Sequence, residues 1–191
     1  MNDIELLTSV LNKTQTILGF VESSQLDGPT PCPEFNVSQL MNHIVGWVQV
    51  FAAGCNKIAF TGDAEAYQCG LNPAQEFEAA ADAIVTGWSA HGLDRLVPIM
   101  SGSEMPGVMV FNMTLMEYMA HGWDLAIATG QSVPFTDDEA IDVLARALVT
   151  LPPEYQGAGM PFGATVPTPA DASSISEFVA FLGRQPEWSA R

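Results

Sequence analysis

The chain has 191 residues, of which 48% are hydrophobic and 15% charged, a balance typical of one compact soluble domain rather than a disordered chain. Its 22 acidic and 6 basic residues give a formal net charge of −16, which excludes the basic surface that nucleic acid or an anionic membrane requires. Its 3 cysteines show no CxxC spacing and the start MNDIELL has no secretory pattern, so we expect a cytoplasmic protein with reduced thiols.

Two helices are predicted in the first 60 residues. An apolar stripe that repeats every three or four residues predicts an amphipathic helix over residues 3–22. Residues 23–36 are rich in turn formers and contain three prolines, which predicts a loop. Asn36 with Gln39 three residues later is a capping box, so a second helix should begin there and continue to about residue 60.

The middle of the chain predicts two further long helices. Residues 61–73 form a polar connection, and residues 74–90 a third helix that stops at His91-Gly92. Residues 93–106 are irregular or contain a short extended piece around residues 96–100. A fourth helix covers residues 107–129.

The C-terminal part is predicted to be an extension packed on these helices. Thr136 with Glu139 opens a fifth helix that ends near residue 151, and residues 174–183 form a short last helix. Between them, the proline- and glycine-rich residues 152–172, here called the arm, are an ordered arm or a flexible loop.

The fold class is therefore all-α: a four-helix bundle at residues 1–130 with a helical extension at residues 131–191. Several apolar residues are expected in its core: Leu11, Leu18, Leu40, Ile44, Val48, Leu115, Met119 and Ala126.

The fourth helix carries the most informative polar residues. It is long enough to span a membrane, but Glu117, His121 and Asp124 argue against a span. At about 100° per residue, Glu117 and His121 lie about 40° apart, and Asp124 lies about 60° from His121. Such a carboxylate and imidazole on an interior face can hold a divalent metal, or they can form a buried hydrogen-bonded pair.

His43 on the second helix completes a candidate metal set. With Glu117 and His121 it supplies two imidazoles and one carboxylate, the three-ligand arrangement of a catalytic zinc or similar site with one open position. Asp124 would orient His121 or act as a fourth ligand. The alternative for His43 is an ordinary core histidine.

Other side chains have weaker functional interpretations. Trp47 and Trp123 are candidates for lining a binding pocket, although tryptophans at such positions are more often core residues. Cys32 lies between two prolines and is interpreted as a loop anchor. The sequence contains no phosphate-binding glycine motif and no Gly-x-Ser-x-Gly turn.

Four segments carry a resemblance to one known family. Residues 30–47 (TPCPEFNVSQLMNHIVGW) resemble the first motif of actinobacterial DinB-like, mycothiol-dependent maleylpyruvate isomerase-like proteins, and residues 117–126 (EYMAHGWDLA) resemble their second. Residues 162–167 and 181–186 are similar to a shorter actinobacterial subfamily whose activity is mostly unassigned. The resemblance covers nearly the whole chain.

The resemblance implies a DinB-like four-helix bundle and a divalent metal, with zinc expected, bound by His43, Glu117 and His121. It also implies mycothiol, a low-molecular-weight thiol, as a cosubstrate. About sixty residues follow Gly130, whereas the maleylpyruvate isomerases carry a larger C-terminal domain, so their substrate is not transferred to this chain. The few arginines also disfavour a dicarboxylate substrate.

Our leading functional hypothesis is a metal-dependent thiol transferase or isomerase that acts on a small electrophile. Its partners would be a small-molecule substrate and a thiol, and a homodimer is one possible assembly. A non-catalytic bundle that binds a metal or ligand is the alternative from a different class. A metal-dependent hydrolase, with Asp124 or Glu104 as the base, is the third.

Overall fold

The computed structural model describes residues 1–100, 103–160 and 162–190, and most of them are helical. The helices are α1 (Asp3–Gly19), α2 (Val37–Cys55), α3 (Pro73–His91), α4 (Gly107–Ala128), α5 (Asp137–Thr150) and α6 (Ser174–Phe181), and the strands are β1 (Leu96–Met100) and β2 (Ser103–Pro106). Short 3-10 turns occur at Ser23–Gln25 and Pro153–Tyr155. The predicted all-α class is therefore confirmed. In the described part of the chain, every helix is too short or too polar to cross a membrane.

Both predicted capping boxes are present. The Asn36 side chain accepts a hydrogen bond from the Gln39 backbone at 2.8 Å, and the Gln39 side chain accepts one from the Asn36 backbone at 2.9 Å. Thr136 and Glu139 exchange the same pair of bonds at the start of α5. These bonds satisfy backbone donors that the first helical turn leaves free, so the sequence fixes where both helices begin.

Two predicted helix ends were too late. α1 ends at Gly19 rather than at residue 22, and α2 ends at Cys55 rather than near residue 60. After α2 the backbone of Lys57 turns to a φ of 64°, which a continuing helix cannot contain. Apolar residues after Lys57 continue the hydrophobic pattern of α2, but their backbone is no longer helical.

Residues 93–106, predicted as irregular or partly extended, include a small antiparallel sheet. β1 pairs with β2 in the register Val97 to Met105 and Pro98 to Glu104. β1 alternates exposed and buried side chains, but the β2 sequence SEMP has no β-branched residue that would reveal a strand.

Helices α1 to α4 pack as the predicted bundle. α1 contacts α3 and α4, and α2 contacts α3 and α4 on the other side. All eight residues expected in the core are buried. The Thr14 hydroxyl donates to the Tyr118 carbonyl at 2.8 Å, so even a polar contact inside the bundle is satisfied.

The extension is attached to the bundle by both apolar and ionic contacts. α5 packs on α4, and α6 packs on α5. The buried carboxylate of Glu139 accepts bonds from Lys13 and Ser9 of α1 at 2.6 Å each. The Val166 backbone donates to the Ala180 carbonyl at 2.9 Å, which ties the arm to α6. A domain boundary at residue 130 stays a prediction.

Candidate metal centre

The three predicted ligands meet between α2 and α4. Nε2 of His43 lies 2.9 Å from Oε1 of Glu117, and Nε2 of His121 lies 3.5 Å from the same oxygen. One potential ligand atom from each residue falls within 4.8 Å of the other two. The spacing of four residues on α4 and the packing of α2 against it therefore bring together one carboxylate and two imidazoles.

These separations fit a shared ion. Tetrahedral ligands about 2.0–2.2 Å from zinc lie about 3.3 Å from one another, and the two nitrogen–oxygen distances fall on either side of that value. All three side chains are largely buried, with between 8% and 18% of their surface exposed. Little water can compete for the site, while one side stays accessible from the neighbouring cavity.

Asp124 supports His121 rather than joining the ligands. Its carboxylate is fully buried and lies 3.0 Å from Nδ1 of His121, on the opposite side of the ring from Glu117. Nη2 of Arg184 donates to the same Asp124 oxygen at 3.0 Å. Cys32, His121 and Asp124 form a second close group of possible ligands, but the guanidinium bonded to Asp124 disfavours a cation there.

His43 has a comparable neighbour in Glu65. Among the described residues, buried Nδ1 of His43 has no hydrogen-bond partner, and Oε2 of Glu65 lies 3.8 Å away. The other Glu65 oxygen accepts a bond from Nε1 of Trp47 at 2.8 Å. A small rotation of the Glu65 carboxylate would therefore give each imidazole a carboxylate on its outer nitrogen, the usual environment of metal-binding histidines.

The site keeps its carboxylates ionised. Burial alone would raise the pKa of Glu117, but His121 and the hydrogen bond from His43 outweigh it and lower this pKa to about 2. Burial would also raise the pKa of Asp124, and Arg184, followed by His121, lowers it instead. Burial lowers the pKa of His43, yet the bond to Glu117 and the charge of Glu65 raise it overall. The ionised carboxylates therefore stabilise a positive charge at the centre, either a proton on an imidazole or a bound metal ion.

A cavity of about 590 Å³ opens next to these three residues. Trp47 lines it together with further apolar side chains from α2, α4 and the extension, and a role of Trp47 in cofactor binding stays a prediction. Trp123 is not among the described residues that line it and is only 4% exposed. It follows His121 by two residues, so it points about 200° away around α4 and packs in the core.

The arm supplies part of the cavity wall, with Gly157, Met160 and Phe162 among the lining residues. The arm passes very close to Gly183, the residue after Leu182. Gly183 has a φ of 85°, and a Cβ placed on it would lie 2.5 Å from the Gly163 Cα. This crossing therefore requires glycine and keeps the arm next to the site.

Arg184 is the functional residue that the sequence analysis missed most clearly. It lines the cavity, is 8% exposed and pairs with Asp124 across 60 positions of the chain. Its segment, residues 181–186, carried the family resemblance, but no local pattern indicated its partner. Glu65 was also missed, because residues 61–73 were interpreted as a polar connection and no local pattern indicated that Glu65 approaches His43.

No cysteine of the chain is prepared to act as a nucleophile. Cys32 lines the cavity, but burial raises its pKa to about 11 despite the nearby charge of Arg184. Burial likewise raises the pKa of both Cys55 and Cys69 to about 12. The thiolate is the reactive form, so burial disfavours the reactive form of all three thiols.

The hydrolase hypothesis loses its two candidate bases. Asp124 is occupied by His121 and Arg184. Glu104 is exposed on β2, opposite Pro98, and is not among the described residues that line the cavity.

Comparison with known proteins agrees with this architecture. The DinB-like protein from Bacillus cereus has the same fold, with a TM-score of 0.54 and 16% identity over 70% of this chain and 95% of its own. The mycothiol-dependent maleylpyruvate isomerase superposes with a TM-score of 0.57 and 16% identity over 80% of this chain and 68% of its own.

Sequence relatives extend over most of the chain. Uncharacterised proteins from two strains of Mycobacterium tuberculosis are each 33% identical over 169 residues, which is 88% of this chain and 90% of theirs. Residues 10–126 match the family model described as mycothiol maleylpyruvate isomerase N-terminal domain, and this match contains all three candidate ligands. The chain belongs to this mycothiol maleylpyruvate isomerase-like family.

Proposed function

We propose that the protein binds one zinc ion through His43, Glu117 and His121 and uses it in a mycothiol-dependent transfer or isomerisation of a small electrophile. One observation carries the proposal: three ligand atoms of the types zinc prefers lie within 4.8 Å of one another beside a cavity of about 590 Å³. Three protein ligands leave a position open for an exogenous group, which distinguishes a catalytic site from a structural one.

The surrounding residues orient the ligands. Asp124, held by Arg184, would accept a hydrogen bond from Nδ1–H of His121 and thereby leave the Nε2 lone pair directed toward Glu117 and His43. Glu65, held by Trp47, would do the same for Nδ1 of His43. Each imidazole then presents its unprotonated nitrogen to the ion without a rearrangement of the helices.

We assign the nucleophilic sulfur to a diffusible thiol rather than to a cysteine of the chain. Burial keeps Cys32, the thiol that lines the cavity, protonated, so a cosubstrate must supply the nucleophile. The family description names mycothiol, and bound zinc would favour the thiolate form of such a cosubstrate. In an isomerisation this sulfur adds to an activated alkene, the former double bond rotates, and elimination of the same thiol restores the alkene.

Cobalt-substituted protein provides the test. Addition of mycothiol should produce a sulfur-to-cobalt charge-transfer band that strengthens as the pH rises toward the pKa of the thiol. When a panel of small electrophiles is supplied, the same protein with zinc should either consume mycothiol, if it is a transferase, or convert an activated alkene to its geometric isomer with mycothiol required but not consumed, if it is an isomerase. If cobalt is bound but no band forms at any pH, the thiol chemistry is wrong and the non-catalytic metal-binding function is favoured.

A further inference from the structure

The cavity next to the candidate metal centre has apolar walls on both sides. The bundle contributes Phe51, Met113 and Met116, and the extension contributes Met160, Phe162 and Leu182. Methionine and aromatic side chains adapt well to irregular apolar molecules. A molecule bound here therefore gains most of its affinity from the apolar surface that it buries.

The charged groups at the cavity are mostly negative. Glu34, Glu65 and Glu117 line it, and in the described part of the chain Arg184 is the one basic side chain that lines it besides the two candidate ligand histidines. The charge of Arg184 is already compensated by buried Asp124. Even with a divalent ion bound, these four carboxylates outweigh the positive charge of the ion and the arginine together.

The donors of Arg184 are also largely committed. Nε and Nη2 donate to Asp124 at 3.3 and 3.0 Å, and Nη1 donates to the Leu182 carbonyl at 3.0 Å. These bonds use three of the five N–H donors of the guanidinium, so a substrate carboxylate could reach only the remaining N–H on each of Nη1 and Nη2. It would also share a positive charge that buried Asp124 already compensates. The arginine is therefore a structural partner of Asp124 rather than a free carboxylate receptor.

We propose that the electrophile accepted by this cavity is uncharged and largely apolar, and that dicarboxylates are excluded. The inference rests on the proposed function, since it assumes that the molecule reacts beside the metal-bound thiol. Apolar contacts with the two walls would hold it, and the net negative charge of the site would repel a dianion. Specificity then arises from the arm and α4 rather than from a basic residue.

In the absence of mycothiol, a series of small thiols probes the walls that would hold the electrophile, because each thiol would bring the same sulfur to the metal and a different body into the cavity. Cobalt-loaded full-length protein is titrated with alkanethiols from ethanethiol to hexanethiol and with mercaptosuccinate. We expect the affinity to rise with chain length, by up to about fourfold for each fully buried methylene. Mercaptosuccinate should bind at least about tenfold more weakly than ethanethiol, because two more carboxylates enter a negative site.

Substitutions in the cavity wall test whether the rise in affinity with chain length comes from these side chains. Phe162→Ala and the milder Met160→Ala should reduce the gain in affinity with chain length. Phe20→Ala, at an exposed phenylalanine after α1, is the matched control and should behave like the unmodified protein.

The possible failures are distinguishable. If bound cobalt gives no band even with ethanethiol, the thiol function itself fails and this inference falls with it. If every thiol gives a band but affinity does not depend on chain length, or mercaptosuccinate binds more tightly than ethanethiol, the proposed function survives and the apolar specificity is overturned.

Discussion

The two sides of the cavity differ in how they are built. On the bundle side, His43, Glu117 and His121 project from two long helices whose packing fixes their separation. On the extension side, the wall comes largely from the arm, a loop that depends on a glycine crossing and a few hydrogen bonds to α6. The rigid side carries the groups that need exact geometry, and the loop side carries apolar contacts that tolerate change.

This comparison predicts separable effects. Changes in the bundle and around its ligands should alter stability or metal affinity, whereas changes in the arm should alter what binds beside the metal. The predictions below test this division, from the largest expected effect to the smallest.

The bundle core should show the largest effect. Leu40→Ala and Leu115→Ala each remove a fully buried side chain from helices that carry a ligand. Each should lower the free energy of unfolding by about 2–5 kcal/mol, the usual cost of such cavities. Leu148→Ala, at an exposed leucine of α5, should change it by less than about 0.5 kcal/mol in the same denaturation experiment. Equal midpoints for all three variants would contradict the packing described here.

Asp124→Asn should weaken metal binding without removing it. The amide keeps the shape of the carboxylate but leaves Arg184 uncompensated and orients His121 less firmly. Loss of a partner behind a metal-binding histidine typically costs about 10–100-fold in affinity, which competition with a chelator would measure. An affinity equal to that of the unmodified protein would show that Asp124 has no role at the centre.

The attachment of the extension should depend on pH. Glu139 is buried against Lys13; burial raises its pKa, but the bonds from Lys13 and Ser9 lower it below its ordinary value of 4.5. A carboxyl group with a lowered pKa stabilises the fold above its unfolded pKa and loses that contribution as the pH falls through its folded pKa.

Glu139→Gln should therefore cost about 1 kcal/mol at neutral pH, the typical net value of one buried hydrogen bond. The difference from the unmodified protein should shrink as the pH falls below 4.5 and through the lower folded pKa of Glu139, and it should vanish once Glu139 is protonated in both states. Urea denaturation of both proteins at several pH values measures this difference in the free energy of unfolding. A difference that grows on acidification would have the wrong sign.

Glu65→Gln should have the smallest effect on metal affinity. The Glu65 side chain is 63% exposed and lies 3.8 Å from Nδ1 of His43, so it orients this ligand less firmly than Asp124 orients His121. We expect a loss of no more than about tenfold, the lower end for such partners. Glu22→Gln, a change at an exposed glutamate beyond α1, is the control for the altered net charge. A loss larger than that of Asp124→Asn would reverse the assigned importance of the two carboxylates.

The helical part of this account could be predicted from the sequence because its signals are local. Capping boxes determined where α2 and α5 begin, and the four-residue spacing of Glu117 and His121 placed them on one helix face. The same rule turns Trp123 about 200° away from His121 around α4, and its side chain is buried. The position of His43 on the second helix made it a candidate ligand, and the family resemblance favoured this role over that of a core histidine.

The remaining features depend on distant parts of the chain meeting in space. Arg184 pairs with Asp124 across 60 positions, and Glu65 approaches His43 from a connection without regular structure. The arm reaches the cavity because two glycines permit a close crossing, which composition alone does not reveal. Such contacts are set by tertiary packing and leave no periodic pattern in the sequence.

The central claim is the metal centre, and zinc binding by metal-free protein tests it most directly. Titration should give one ion per chain, both in the unmodified protein and in His91→Ala, which removes the one histidine outside the centre. His43→Ala and His121→Ala should lose this binding while remaining folded by circular dichroism. Unchanged stoichiometry and affinity in these two variants would contradict the account.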